Sequence, residues 1–246
     1  MCTLTIAYQA FDDAPIAVAA NRDEQFERPS VGPTVIEEDP RVIAPRDAEA
    51  GGTWIGYNDA DLLAAVTNRW TDSDLAGERS RGLLVRDVLS HTDAEEAARA
   101  VESELEENEY RGFNLAVLDS NAAILFEWDG RLRVSNLESG VHVVLNTGYD
   151  DRFEIPDDRL DLAEGQMESA RKVREELQPE SGETAEGWLG RAADVLGDHE
   201  YNVCFHNEGS GTRSSSLIAL YADGRSDYWF APGPPCRTDY DLVGAN

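Results

Sequence analysis

The chain has 246 residues, 41% of them hydrophobic, and carries 49 Asp plus Glu against 21 Lys plus Arg, a formal charge of -28. A field of that sign repels phosphate backbones and anionic membrane surfaces, which excludes ordinary nucleic-acid binding. Apolar runs at 62–66, 113–118 and 216–221 mark a folded globular protein rather than a disordered one, and none approaches the roughly 20 residues that span a bilayer.

The first segment, residues 2 to 8, is β-rich. The turn cluster Phe11-Asp12-Asp13-Ala14-Pro15 and the apolar strand 16–20 follow it, so the chain opens on a hairpin. That hairpin runs into Asn21-Arg22-Asp23-Glu24, four polar residues expected outside the core. A Pro- and Gly-punctuated stretch leads to Gly51-Gly52-Thr53-Trp54-Ile55-Gly56, which suits a tight turn entering a short strand. The next strand, 62–67, ends at Asn68.

Two helices are predicted next. Residues 80–91 pack through Leu84 and Val88. Residues 93–108 set Ala94, Ala97, Ala98, Val101 and Leu105 on one face, with Thr92 or Asp93 as cap and Glu96 at the reciprocal position. Strands at 113–118, 123–128, 132–135 and 141–145, joined by short turns, form a meander. A second helical pair covers about 157–178 and 183–197, with stripes Leu160, Ala163, Met167, Ala170 and Ala185, Trp188, Leu189, Ala192, Leu196. Residues 203–230 return to strands, with Asp223-Gly224 as a hairpin turn. Strands and helices in batches imply antiparallel pairing and an α+β fold: two sheets with helices outside, in a single domain over residues 1–246.

Lys172 is the only lysine. Arginine plus a large carboxylate excess reads as adaptation to high salt, where a Debye length of about 3 Å at 1 M screens self-repulsion. The N-terminus lacks a charged segment followed by an apolar one, so the cytoplasm is the expected location. Cys2, Cys204 and Cys236 are odd in number and widely spaced, which argues against a disulfide framework or a zinc ribbon. His91, His142, His199 and His206 form no short ligand pair, so no metal site is expected.

Cys2 carries the chemistry. Removal of Met1 would give one residue both a thiol nucleophile and a free α-amine, whose reference pKa of about 7.7–8.0 lets it take the thiol proton without a histidine. With Met1 retained, Cys2 is a small strand residue. The hairpin sets residues 21–24 near Cys2, where an arginine would stabilise a thiolate and depress its pKa, and a carboxylate would hold the amine.

Met1-Cys2-Thr3-Leu4, Asn21-Arg22-Asp23-Glu24 followed by Arg28, Gly51 to Gly56, Thr67-Asn68 and Gly211-Thr212-Arg213-Ser214-Ser215-Ser216 occur in this order over nearly the whole chain. In combination they resemble the NRDE family, which includes the animal transport and Golgi organisation protein number two. That family in turn is similar to N-terminal-nucleophile hydrolases of the choloylglycine hydrolase and penicillin V acylase type. The resemblance implies a four-layer αββα sandwich with Cys2 as nucleophile and Arg22 beside it. It also implies Asp23 or Glu24 at the α-amine, Asn68 and Asn146 on the oxyanion and substrate side, and Arg213 as a second pocket arginine. Neutral amide donors suit a developing oxyanion. The implied reaction is acyl cleavage or transfer from a small amide or thioester, with no cofactor. The alternative is a non-catalytic carrier of a small hydrophobic ligand such as haem or acyl-CoA, in which Cys2, Cys204, His206 or another histidine would be an axial ligand. A small molecule is thus the expected partner, and the oligomeric state is left open.

Overall fold

The computed structural model describes residues 2–156 and 159–244. The start expected at 157 for the third helix, and Met1, lie outside the described residues. The chain forms two compact units, one from residues 1–27 with 138–246 and the other from residues 28–137.

The first unit is built on an eight-stranded antiparallel sheet. Its strands are β1 (Thr3–Tyr8), β2 (Ile16–Gln25), β10 (Gly140–Leu145), β11 (Gly148–Tyr149), β12 (Arg152–Phe153), β13 (Ser210–Leu220), β14 (Ser226–Ala231) and β15 (Asp241–Leu242). Their order across the sheet is β12-β11-β10-β1-β2-β13-β14-β15. One face is covered by α3 (Leu160–Glu176) and α4 (Ala185–Gly197). Strand alternation sends Ala7, Ala17, Ala19, Val143, Leu217 and Ala219 to that face, where they meet Ala170, Val173, Trp188, Leu189 and Leu196. Small residues on the central strands let the helices approach closely, and Trp188 fills the gap while its Nε1 donates to Leu177 O at 2.8 Å.

The second unit holds seven antiparallel strands in the order β3-β4-β5-β6-β7-β8-β9. These are β3 (Ser30–Glu38), β4 (Arg41–Asp47), β5 (Ile55–Asn58), β6 (Leu63–Asn68), β7 (Phe113–Leu118), β8 (Ala123–Trp128) and β9 (Leu132–Asn136). Its helices α1 (Arg81–Val88) and α2 (Ala94–Glu107) pack Leu84, Val85, Val88, Ala97 and Val101 against Ala64, Leu115 and Val117. Asp93 is the cap of α2, its carboxylate accepting from Glu96 N at 2.7 Å.

The α+β class, the two antiparallel sheets and the two helix pairs are as expected. Three local features differ from the reading of the sequence. The Pro- and Gly-punctuated stretch, given no element in the sequence reading, holds the β3–β4 hairpin, because Gly32 and Pro33 fall at a register shift on an edge strand, where a missing ladder donor is tolerated. β2 does not stop at Ala20: paired to β1 on one side and to β13 on the other, it continues to Gln25. Asn21 and Arg22 are therefore buried. Leu160 lies outside the α3 stripe, at 53% exposed, and the buried run is Ala163, Ala170, Val173 and Leu177.

Candidate functional site

The strand pairings of the first unit place the site. β1 pairs Thr3 with Asn21 and Leu4 with Val144. Continuing those registers to Cys2 sets Arg22 opposite it on one side and Asn146 on the other, with Cα separations of about 4.5–5.5 Å expected between paired residues. On the far side of β2, Arg22 faces Ser214. Cys2 is half-buried, while Arg22 and Asn146 are buried.

Alternation along β2 sorts the Asn21-Arg22-Asp23-Glu24 motif into two pairs. Arg22 and Glu24 share one face and form an ion pair at 3.5 Å. Asn21 and Asp23 share the other. Asn21 is structural: its amide donates to Leu196 O at 3.0 Å and Val203 O at 2.9 Å, which ties the end of α4 and the chain after it to the sheet. Asp23 bonds to Cys2 through its backbone and to Thr212 through its carboxylate. Its carbonyl accepts from Cys2 Sγ at 3.6 Å, and its Oδ1 accepts from Thr212 Oγ1 at 2.6 Å.

Arg213 is the extra residue of a bulge. Thr212 pairs with Asp23 and Ser214 with Arg22, so β13 offers three residues to two of β2. A bulge re-aims the inserted side chain and bends the strand, and such irregularities gather beside active sites. Five of the six expected residues, Cys2, Arg22, Asp23, Asn146 and Arg213, are thus gathered at one end of a single sheet. Asn68 belongs to the second unit, where it is the last residue of β6 and exposed.

With Met1 in place, burial pushes the Cys2 thiol up and the charge of Asp23 adds to it, while Arg22 pulls the other way. The expected depression of the thiol belongs to the chain whose α-amine is that of Cys2 itself. Burial pushes the Asp23 carboxyl up too, against the Thr212 hydrogen bond and the charge of His206. Both groups hold their protons longer than in water, as expected where desolvation outweighs neighbouring charges.

Other motif residues serve the second unit. Arg28 Nε donates to Asp47 at 2.8 Å. Gly52 sits where a Cβ would meet Gly82 C at 2.2 Å, so the turn before β5 closes on α1 only because that side chain is absent. Sequence reasoning missed Arg69, next to Asn68. It is buried and donates to Glu127 Oε1 at 2.8 Å and Asn114 Oδ1 at 3.0 Å, and Asn114 in turn donates to Thr67 at 3.1 Å. Widely spaced residues brought together across three neighbouring strands carry no local signal.

The expectation of isolated histidines and thiols also fails. His199, His206 and Cys236 place their ligand atoms within 4.8 Å of one another. Two surface clefts, one lined by Asp150, Arg171 and Arg174 and one by Glu37, Arg79 and Arg86, include none of the residues around Cys2.

A family model described as Transport and Golgi organisation 2 matches residues 1–229. The human Transport and Golgi organization protein 2 homolog is 32% identical over 130 residues, covering 49% of this chain and 47% of the human protein. The mouse homolog is 30% identical over 126 residues, covering 47% and 45%. The chain spans about half the length of the curated relatives it matches. Among solved structures, penicillin V acylase from Agrobacterium tumefaciens superposes with a TM-score of 0.59 at 16% identity, over 99% of this chain and 86% of that one. The Caenorhabditis elegans ortholog of N-acylethanolamine-hydrolyzing acid amidase gives 0.55 at 11% identity, over 88% and 92%. At those identities the likeness establishes the N-terminal-nucleophile hydrolase fold alone.

Proposed function

The chain belongs to the Transport and Golgi organisation 2 family, and on that premise we propose that it cleaves or transfers an acyl group from a small amide or thioester through Cys2. What supports this reading is the pair of bonds that Asp23 accepts from Cys2 and Thr212, at the end of the sheet where the registers of β1, extended to Cys2, lead to Arg22 and Asn146. The names of the solved neighbours, an acylase and an acid amidase, point to the same reaction class.

In this reading Met1 is removed and the α-amine of Cys2 accepts the thiol proton. The thiolate sulfur then bonds to the acyl carbon, and the tetrahedral oxyanion is held by neutral donors, for which the Asn146 amide is the candidate within this unit. Collapse breaks the bond to the leaving amine or thiol, which departs with the proton held by the ammonium. Water then hydrolyses the thioester and restores the thiol. Asp23 holds the ammonium, Arg22 and Arg213 offset the negative charge, and Asn68 is given no part in the step.

In a second reading Met1 stays on, and this end of the sheet holds a small hydrophobic ligand, haem or an acyl thioester, without cleaving it. A panel of short- and long-chain acyl amides and acyl thioesters separates the two. The hydrolase reading predicts turnover that falls on the order of 1,000-fold or more in Cys2→Ala. Equal turnover in both proteins contradicts it, and binding without turnover in both supports the carrier.

A further inference from the structure

Two adjoining segments and a third that is distant in sequence meet beside the start of β13. The first is the helical turn His199–Tyr201 that follows α4, with its N–H groups capped by Asp198. The second is the approach to β13, where Asn202 takes φ 53° and His206 pairs with Gly211. The third is the turn after β14, closed by Arg237 N donating to Pro234 O at 3.0 Å. Gly197 lies against the third segment, where a Cβ would sit 3.4 Å from Cys236 N.

Their meeting point is a set of nitrogen and sulfur donors. His206 Nε2 lies 3.1 Å from Cys236 Sγ and 3.9 Å from Cys204 Sγ. The His199 and His206 rings are 5.3 Å apart between centroids. A tetrahedral zinc ion, with Zn–N about 2.0–2.1 Å and Zn–S about 2.3 Å, spaces its ligand atoms roughly 3.3–3.6 Å apart. The 4.8 Å limit on the mutual distances of the His199, His206 and Cys236 donors leaves small rotations to reach that spacing.

We propose that His199, His206 and Cys236 form a site for one zinc-class transition-metal ion, with Cys204 beside it for the fourth position. Imidazole and thiolate select borderline metals of this kind over magnesium and calcium, which take oxygen ligands. Among the described residues this is the one such donor group, and in so acidic a chain it contains no carboxylate. The orientation is prepared. His199 Nδ1 lies 3.2 Å from Cys204 O, and donating there leaves Nε2 as the unprotonated ligand atom. His199 and His206 are exposed and Cys236 is half-buried, so an ion can enter from solvent. Binding converts the Cys236 thiol to a bound thiolate and releases one proton, so affinity rises with pH.

The ion would pin the three segments together. The middle one brackets Thr212, whose backbone N donates to Phe205 O at 2.9 Å and whose Oγ1 accepts from Phe205 N at 3.0 Å and donates to Asp23. The inference does not depend on the reaction at Cys2.

Cobalt(II) tests it, added to the reduced full-length protein in molar salt with excess magnesium to occupy surface carboxylates. The expected result is one equivalent per chain, a thiolate-to-cobalt charge-transfer band in the near ultraviolet, tetrahedral visible bands, and displacement by zinc. Cys236→Ser and His206→Asn should remove the band and weaken uptake by more than the roughly 10–100-fold that even an outer hydrogen-bond partner costs. Cys2→Ser should leave the spectrum unchanged. In wild type, zinc should also protect Cys236 from alkylation mapped by peptide mass, a readout independent of how the variants fold. Uptake without a thiolate band, an unchanged spectrum in Cys236→Ser, or no protection of Cys236 would overturn the proposal.

Discussion

At the scale of single residues, Cys2 is set by two opposing neighbours. Burial and Asp23 raise its thiol pKa, and Arg22 lowers it. Below that pKa the alkylation rate follows the thiolate fraction. In a chain that keeps Met1, Asp23→Asn removes the adjacent negative charge and should speed iodoacetamide labelling of Cys2 at pH 7, mapped by peptide mass; a slower rate contradicts the electrostatic reading. Arg69 gives a second case. Its side chain is 1% exposed and pairs with Glu127, 9% exposed, at 2.8 Å. Removing Glu127 takes away the nearer of two carboxylates and leaves Arg69 Nε 4.0 Å from Asp129 Oδ2, so Glu127→Ala should cost about 3 kcal/mol in urea unfolding, with Glu127→Gln costing less. A loss under about 1 kcal/mol would mean that Asp129 and Asn114 suffice for Arg69. The motif residues were legible because each is a distinctive side chain at a strand end. Arg69 with Glu127 and Asn114, and the His199, His206 and Cys236 group, were not, because tertiary contacts alone bring them together.

At the scale of elements, register explains why the site exists. β13 pairs with β2 along its length and β1 pairs with it from Ile16 to Asn21, the bulge at Arg213 interrupts the β13 pairing beside Asp23, and the β10–β11 hairpin turns at Asn146. Alternation in strands and helical stripes made most elements legible in the sequence. The β3–β4 hairpin was hidden because Gly and Pro signal loops unless an edge strand absorbs them. The β10–β11 hairpin supplies a pH dependence. His142 on β10 has Nδ1 2.8 Å from Asp150 Oδ2 and Nε2 2.8 Å from Glu138 O. Burial lowers its pKa and Arg174 opposes protonation, but the Asp150 and Glu138 hydrogen bonds outweigh both and raise it. A raised folded-state pKa gives stability that is complete below the unfolded value of about 6.5 and lost as pH rises through the folded value. The melting temperature should therefore fall across that interval, and by less in His142→Gln; equal slopes in the two proteins would contradict the assignment.

At the scale of the whole molecule, a charge of -28 with one lysine predicts dependence on salt. The Debye length grows from about 3 Å at 1 M to about 30 Å at 0.01 M, so dialysis unmasks carboxylate repulsion over the entire surface. Circular dichroism melts should move to lower temperature as salt is removed; melts that coincide at molar and millimolar salt would rule this out. The family and the fold belong to this scale, and both were legible because the motifs recur in order along the chain. The reaction rests on Cys2 alone. The most direct measurement is the intact mass of the native chain before and after exposure to an activated acyl donor. The account predicts a chain that lacks Met1 and gains one acyl group, mapped to Cys2. A chain that keeps Met1 and takes no acyl group at Cys2 would contradict it.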